Sequence, residues 1–302
     1  MPQRRRPDRT TALVPETVKI KGPLGIIAGR GSLPCVLAEA ASARGLPFHI
    51  VGIRGEAEDE IERFPHTWVK WGEVGKMLHT LDQNGCGDIV VIGGVNRPDF
   101  SNFRLDSGAL KTLPFILSLG KGGDDNVLSR VVRFFEQKGY RVHGAGDITP
   151  ELLAEEGVLG SRTPSTEDED DIELALRVID ALGRLDVGQA AVVIKGYVIA
   201  VEAAEGTDAM LTRCVELRET GRTGRRSRAG VLVKAPKPGQ EERVDLPTIG
   251  PDTVAKSAAA GLAGIAVAAG HVLIVERDAT IAAADRDGLF LLGVTLAEHE
   301  GA

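Results

Sequence analysis

The stretch Val231–Val254, VLVKAPKPGQEERVDLPTIGPDTV, holds the densest set of residues able to do chemistry. An apolar run ends in Lys234, prolines alternate with Lys237, and Asp245 follows a short charged spacer. Proline at this density rules out a helix interior or a central strand and predicts a stiff loop leaving a strand end, where α/β proteins place their sites. Two ammonium groups near one carboxylate suit an anionic substrate and a metal; a solvated surface turn is the competing reading.

Other clusters have a similar character. Glu202 closes an apolar run and precedes Gly206, Thr207 and Asp208 at a helix start. A carboxylate after a strand and before a glycine turn is one way to hold a metal or phosphate, whereas Thr207 or Asp208 as an ordinary helix cap is the plain alternative. Gly29, Gly31 and Ser32 lie between a buried strand and a helix opened by Pro34, a generic anion-docking turn. Gly94, Asn96 and Arg97 follow another strand, where Arg97 suits a phosphate and Asn96 a base or hydroxyl. Asp124 and Asp125 open a helix, and at least one is expected to cap it. The acids from Glu167 to Asp171 are expected to be a solvated, dipole-matched helix start.

The elements that must position these groups follow from apolar patterning. Leu24–Gly29, Phe48–Ile53 and Asp88–Val95 read as strands buried on both faces, with another near Tyr140–Gly144. Helices are expected over Cys35–Ala43, Gly72–Asn84, Gly108–Leu119 and Asp125–Lys138, which makes the first half Rossmann-like with a parallel sheet. Ala190–Val201 reads as a hairpin centred on Lys195-Gly196-Tyr197. The later strands and helices form a distinct α/β layer rather than a repeat. The expected organisation is a flexible arm at 1–22, a Rossmann-like domain at 23–160 and a C-terminal α/β catalytic domain at 161–302, with a joint at Ser161–Asp171.

Composition narrows the function classes. The 302 residues are 43% hydrophobic and 26% charged, as a well-cored globular chain requires. A net charge of −7 argues against general nucleic-acid binding. Cys35, Cys86 and Cys214 are too far apart for a metal motif or disulfide framework, which fits a reducing cytosol. The chain has no long apolar run to cross a membrane, and the arginines at 4–6 lack the apolar stretch of a secretion signal. Arg222–Arg228 is a basic loop, either solvated or drawn to an anionic surface. A dinucleotide fingerprint is broken: Pro34 stands where the third glycine belongs, and Arg54 where a ribose-binding acid would end the second strand.

Taken together, LGIIAGRGSLP (Leu24–Pro34), GGVNRP (Gly93–Pro98), GDD (Gly123–Asp125), VIAVEAAEGTDAML (Val198–Leu211) and Val231–Val254 resemble the LpxI family, UDP-2,3-diacylglucosamine pyrophosphatases of lipid A biosynthesis. The resemblance runs from about Leu24 to Val294. It implies a two-domain cytosolic enzyme, peripheral to the inner face of the inner membrane and homodimeric. The implied reaction is Mg²⁺-dependent hydrolysis of a lipid-linked sugar nucleotide to lipid X and UMP, with Asp245 essential. Under that reading Asp245, Lys234 and Lys237 are the catalytic candidates. Asp245, Glu202, Asp208 and Asp125 are the candidate metal ligands. Gly29, Gly31, Ser32, Gly94, Asn96, Arg97, Lys195, Gln240 and Thr248 are expected to bind substrate. The rival readings are a nucleotide-cofactor oxidoreductase and a non-catalytic sugar-nucleotide or lipid carrier.

Overall fold

Leu24–Ala28 forms β1, every residue buried, because an all-apolar run is stable only where both sheet faces are covered. A computed structural model of the chain describes residues 20–95, 124–223 and 228–296. Asn96, Arg97, the expected helix over Gly108–Leu119 and most of the N-terminal arm lie outside the described residues, as do the side chain of Asp125 and the centre of the arginine loop. In chain order, α1 spans Leu33–Ala43, β2 Phe48–Ile53, β3 His66–Val69, α2 Val74–Gln83 and β4 Asp88–Ile92. They are followed by α3 (Asp124–Gln137), β5 (Arg141–His143) and the short α4 (Ala145–Ile148). The sheet order is β3-β2-β1-β4-β5, with every neighbouring pair parallel. That is the expected Rossmann-like arrangement, and the order reverses between β1 and β4, which opens a crevice at their C-terminal ends.

The second layer is a mixed sheet. β6 (Gly157–Val158), β7 (Ala190–Ile194), β8 (Tyr197–Val201), β9 (Val231–Lys234), β11 (Gly264–Ala268) and β13 (Phe290–Val294) lie in the order β6-β13-β11-β9-β7-β8. β9, β11 and β13 run parallel, whereas β7 is antiparallel to both β9 and β8. A separate parallel pair joins β10 (Thr248–Ile249) to β12 (Leu273–Ile274). The helices are α5 (Thr166–Gly183), α6 (Gly206–Glu219), α7 (Pro251–Ala260) and α8 (Arg277–Asp287). Ser165 caps α5 through a reciprocal pair with Asp168, which accounts for part of the acidic run. Asp171, from the same run, is buried instead. It accepts the N–H groups of Lys195 and Gly196 at 2.8 and 2.6 Å and pins the β7–β8 turn to α5.

The two layers share apolar contacts. Leu273 of β12 belongs to the same buried cluster as Leu24, Ile26, Ala28 and Ala145, and Leu246 packs against it. The residue beside Asp245 is therefore anchored in the core of the first sheet. Cys35, Cys86 and Cys214 are free and buried; burial pushes the thiols of Cys86 and Cys214 up to about 11, so both stay protonated at neutral pH.

At the other end of β4, Asp88 is fully buried and accepts two bonds from Arg141 at 2.6 Å, another from the Lys21 N–H at 3.0 Å, and lies 2.8 Å from His143 Nε2. Burial pushes its carboxyl up, but the bonds from Arg141, His143 and Lys21 outweigh it and bring it down to about 2. A folded-state value below the unfolded one adds stability above the unfolded pKa and loses it as pH falls through the folded value. Between about pH 4 and pH 2 the protein is expected to lose about 2 kcal/mol through this group alone. Asp88→Asn should flatten that limb of a urea-denaturation series against pH; an unchanged slope would show the cluster to be irrelevant to acid stability.

Candidate active site

The crevice at the ends of β1 and β4 is a cleft of about 370 Å³, closed on its far side by the segment from Glu242 to Thr248. Gly31 and Ser32 line one wall with Gly94, while Asp245 and Thr248 line the other. Close backbone approach builds the first wall. A Cβ on Gly29 would lie 2.5 Å from the Gly94 carbonyl oxygen, and one on Gly93, at φ +96°, only 2.7 Å from the Gly29 carbonyl carbon. Arg30 and Gly94 exchange backbone bonds at 2.7 and 3.0 Å, joining the two glycine loops. Ser32 is the N-cap of α1, and its hydroxyl makes no capping bond.

Arg30 was not among the sequence candidates although its motif was. Its half-exposed guanidinium lines the cleft, steadied by the buried carboxylate of Glu56 at 3.2 Å. Glu56, the first acid after β2, also accepts from Trp71 at 3.4 Å. It is thus engaged with protein groups rather than presented to a ribose. Arg243 also lines the cleft, but Glu241 grips it at 2.7 and 2.8 Å and Glu136 of α3 at 2.8 Å. Hydrogen bonding to Arg243 holds the Glu241 carboxyl below its ordinary range. Glu242 pairs with His271 at 2.7 Å, a bond that raises the imidazole above its usual value.

Asp245 is held by amides. Its Oδ2 accepts from Gln189 Nε2 at 2.9 Å and Gln240 Nε2 at 2.8 Å. Lys234 is buried behind this wall and donates to the Thr248 carbonyl at 2.9 Å. Burial pushes its ammonium down, and the negative charges of Glu202, Asp208 and Asp245 act against that shift. The ammonium therefore sits in the field of all three carboxylates, Asp245 among them.

The comparisons with known proteins bear on this arrangement. Residues 23–152 match the description "LpxI N-terminal domain" and residues 155–292 match "LpxI C-terminal domain". The chain belongs to the LpxI family. The chain is also 48% identical over 271 residues to the UDP-2,3-diacylglucosamine pyrophosphatase LpxI of Caulobacter vibrioides, covering 90% of this chain and 97% of that protein.

Within this LpxI-family fold, several expected site residues are not brought to the cleft. Lys195 lies in the β7–β8 turn: Ala190 pairs with Lys234 in antiparallel register, so Lys195 is at the opposite end of the strand, 3.6 Å from Glu167. Lys237 is buried in an ion pair with Asp186, in the turn after α5. Gln240 spends its amide on Asp245 and on the Lys237 N–H. Glu202 accepts from the Gln189 N–H at 3.0 Å and the Thr207 hydroxyl at 2.8 Å, and Asp208 projects to solvent against Lys256 at 2.6 Å. Thr207 and Asp208 are not caps either, since α6 starts at Gly206 with Glu205 at the N-cap.

Of the four expected metal ligands, Asp245 lines the cleft, Glu202 and Asp208 are engaged elsewhere, and the side chain of Asp125 lies outside the described residues. Among the described residues no three His, Cys, Asp or Glu side chains converge to hold a metal. Magnesium needs only one or two carboxylates when substrate phosphates and waters complete its shell, so Asp245 at the cleft still fits a substrate-borne ion. Gln189 and Asp186 escaped sequence reading. Gln189 had one faint signal, a polar residue between Gly188 and a strand that is otherwise apolar.

Proposed function

We propose that this chain hydrolyses the pyrophosphate of UDP-2,3-diacylglucosamine to 2,3-diacylglucosamine 1-phosphate (lipid X) and UMP, aided by a divalent ion such as Mg²⁺. The observation that carries the reading is the Caulobacter relative, named for that substrate and similar over nearly its whole length. The cleft suits the chemistry. A bridging pyrophosphate carries two negative charges, which repel an attacking oxygen unless fixed positive groups meet them. Backbone N–H groups at the start of α1 and the Arg30 guanidinium supply such groups on one wall. Asp245, on the facing wall, orients the water by accepting its hydrogen bond and takes up the proton it loses. A bound Mg²⁺, held by Asp245 and the phosphate oxygens, would neutralise charge developing on the phosphates. Lys234 lies behind the same wall and holds it through the carbonyl of Thr248, one of the cleft-lining residues.

Incubation with UDP-2,3-diacylglucosamine and Mg²⁺ should release UMP and the sugar 1-phosphate in equal amounts, and EDTA should abolish release. Release of UDP would place cleavage at the wrong bond, and full turnover in EDTA would remove the ion from the scheme. A diacylated substrate resides in a bilayer, so the proposal extends to a homodimer working at the inner face of the inner membrane. Among the described residues no helix is long and apolar enough to cross a membrane, which leaves surface contact to be measured by vesicle co-sedimentation and the dimer by light scattering.

A further inference from the structure

Gln189 plays no part in the chemistry above, yet it joins the cleft carboxylate to the second sheet. Its Nε2 donates to Asp245 Oδ2 at 2.9 Å. Its backbone N–H donates to Glu202 Oε2 at 3.0 Å, and its carbonyl accepts from Ala235 N at 3.0 Å. Glu202 is fixed in turn by the Thr207 hydroxyl. The preceding residue enforces this approach: Gly188 has φ +61°, and a Cβ there would lie 2.0 Å from the Glu202 carbonyl oxygen. The EAAEGTD motif therefore acts on the cleft through Gln189. From the other side, buried Gln240 donates to the same Asp245 oxygen at 2.8 Å and to the Asp245 carbonyl at 2.6 Å. The orientation of the Gln240 amide follows from the Lys237 N–H, which donates to its Oε1 at 2.8 Å.

We propose that Gln189 is a positioning residue: with Gln240 it clamps one oxygen of Asp245 and sets the plane in which the carboxylate faces the cleft. Two N–H groups on one oxygen fix a side chain that otherwise turns about two torsions, and a misplacement of about 1 Å at a reacting group costs about 10²-fold in rate. Amides suit such a clamp because they hold the carboxylate without cancelling its charge, as an arginine or lysine in their place would. The kinetic part of the proposal rests on the pyrophosphatase reading; the clamp itself does not.

The test has two arms. In the kinetic arm, Gln189→Leu removes the donor at similar volume. It should lower kcat by about 10- to 100-fold with KM within about twofold. Gln189→Glu presents a donor only when protonated, so its kcat relative to wild type should recover as pH falls towards 5. A structural role alone would lower the folded fraction and leave kcat per folded molecule unchanged at every pH, and that result, or a change confined to KM, overturns the proposal. In the second arm, nuclear magnetic resonance of ¹⁵N-labelled glutamine amides needs no turnover. The Gln189 and Gln240 side-chain signals should both move in Asp245→Ala, and an unmoved Gln189 signal overturns the clamp. If wild-type protein releases no UMP, the pyrophosphatase reading falls and this second arm still decides the clamp.

Discussion

Asp245→Asn is expected to keep the wild-type fold, with stability within about 1 kcal/mol, and to lose UMP release by about 10²- to 10⁴-fold. The two halves of this expectation come from different atoms of the same side chain. Oδ2 serves the fold: it takes the amide N–H groups of Gln189 and Gln240. An asparagine turns its carbonyl oxygen to those donors, so neither is stranded. What it lacks is the negative charge and a second carboxylate oxygen, which are what orienting water, accepting its proton and sharing a metal ion require. Asp245→Ala differs because it leaves the half-buried Gln189 amide without this acceptor and takes from the buried Gln240 amide one of its two acceptors, at about 1–3 kcal/mol in all. Comparing the two variants by thermal melting and UMP release separates chemistry from architecture. An Asn variant with full turnover would sink the role given to Asp245, and an Asn variant as unstable as the Ala variant would sink the account of its two oxygens.

The elements legible in the sequence were those whose stability is local. Leu24–Ala28, Phe48–Ile53 and Asp88–Ile92 are apolar runs that suit only a doubly covered sheet, and the hairpin at Lys195-Gly196 is marked by its turn. β3, His66–Val69, was missed because it is an edge strand, mostly half-buried and mixed in composition. The loop around Asp245 was legible from its prolines. Its surroundings were not, because they are made by partners far apart in the chain. Whether a charge faces a substrate or is neutralised within the protein depends on what lies opposite it. Asp208 finds Lys256, Lys195 finds Glu167, and Glu202 finds a backbone N–H and a hydroxyl. Sequence alone does not tell them apart; the register of β7 against β9 and the start of α6 separate Glu202, which supports Asp245 through Gln189, from Lys195 and Asp208, which point away.

Lys237 carries the second large expectation, and here the structure favours a different role from the phosphate partner expected from the sequence. As a phosphate partner, Lys237→Ala would impair turnover and spare the fold. The structure instead buries the ammonium against Asp186, where Gly183 leaves room for it: a Cβ on that glycine would lie 2.7 Å from Pro238 Cδ and 3.2 Å from Lys237 Cβ. The other Asp186 oxygen is buried with no hydrogen-bond partner among the described residues, and the lysine is the main compensation for that charge there. Removing one partner of a buried pair leaves the other uncompensated, at about 3–5 kcal/mol, and the partial exposure of Asp186 favours the lower end. At roughly 2–4 °C per kcal/mol, melting should fall by roughly 10 °C in Lys237→Ala. Deleting both charges together avoids the stranded carboxylate, so Lys237→Met with Asp186→Asn should return to within about 1 kcal/mol of wild type. Asparagine is the replacement because residue 186 has φ +60°, a left-handed conformation it tolerates better than most side chains. In both variants kcat per folded molecule should stay within a few-fold of wild type, since Gln240 accepts from the backbone of residue 237 and not from its side chain. A collapse of kcat with unchanged melting would return Lys237 to the chemistry and dismiss the strut.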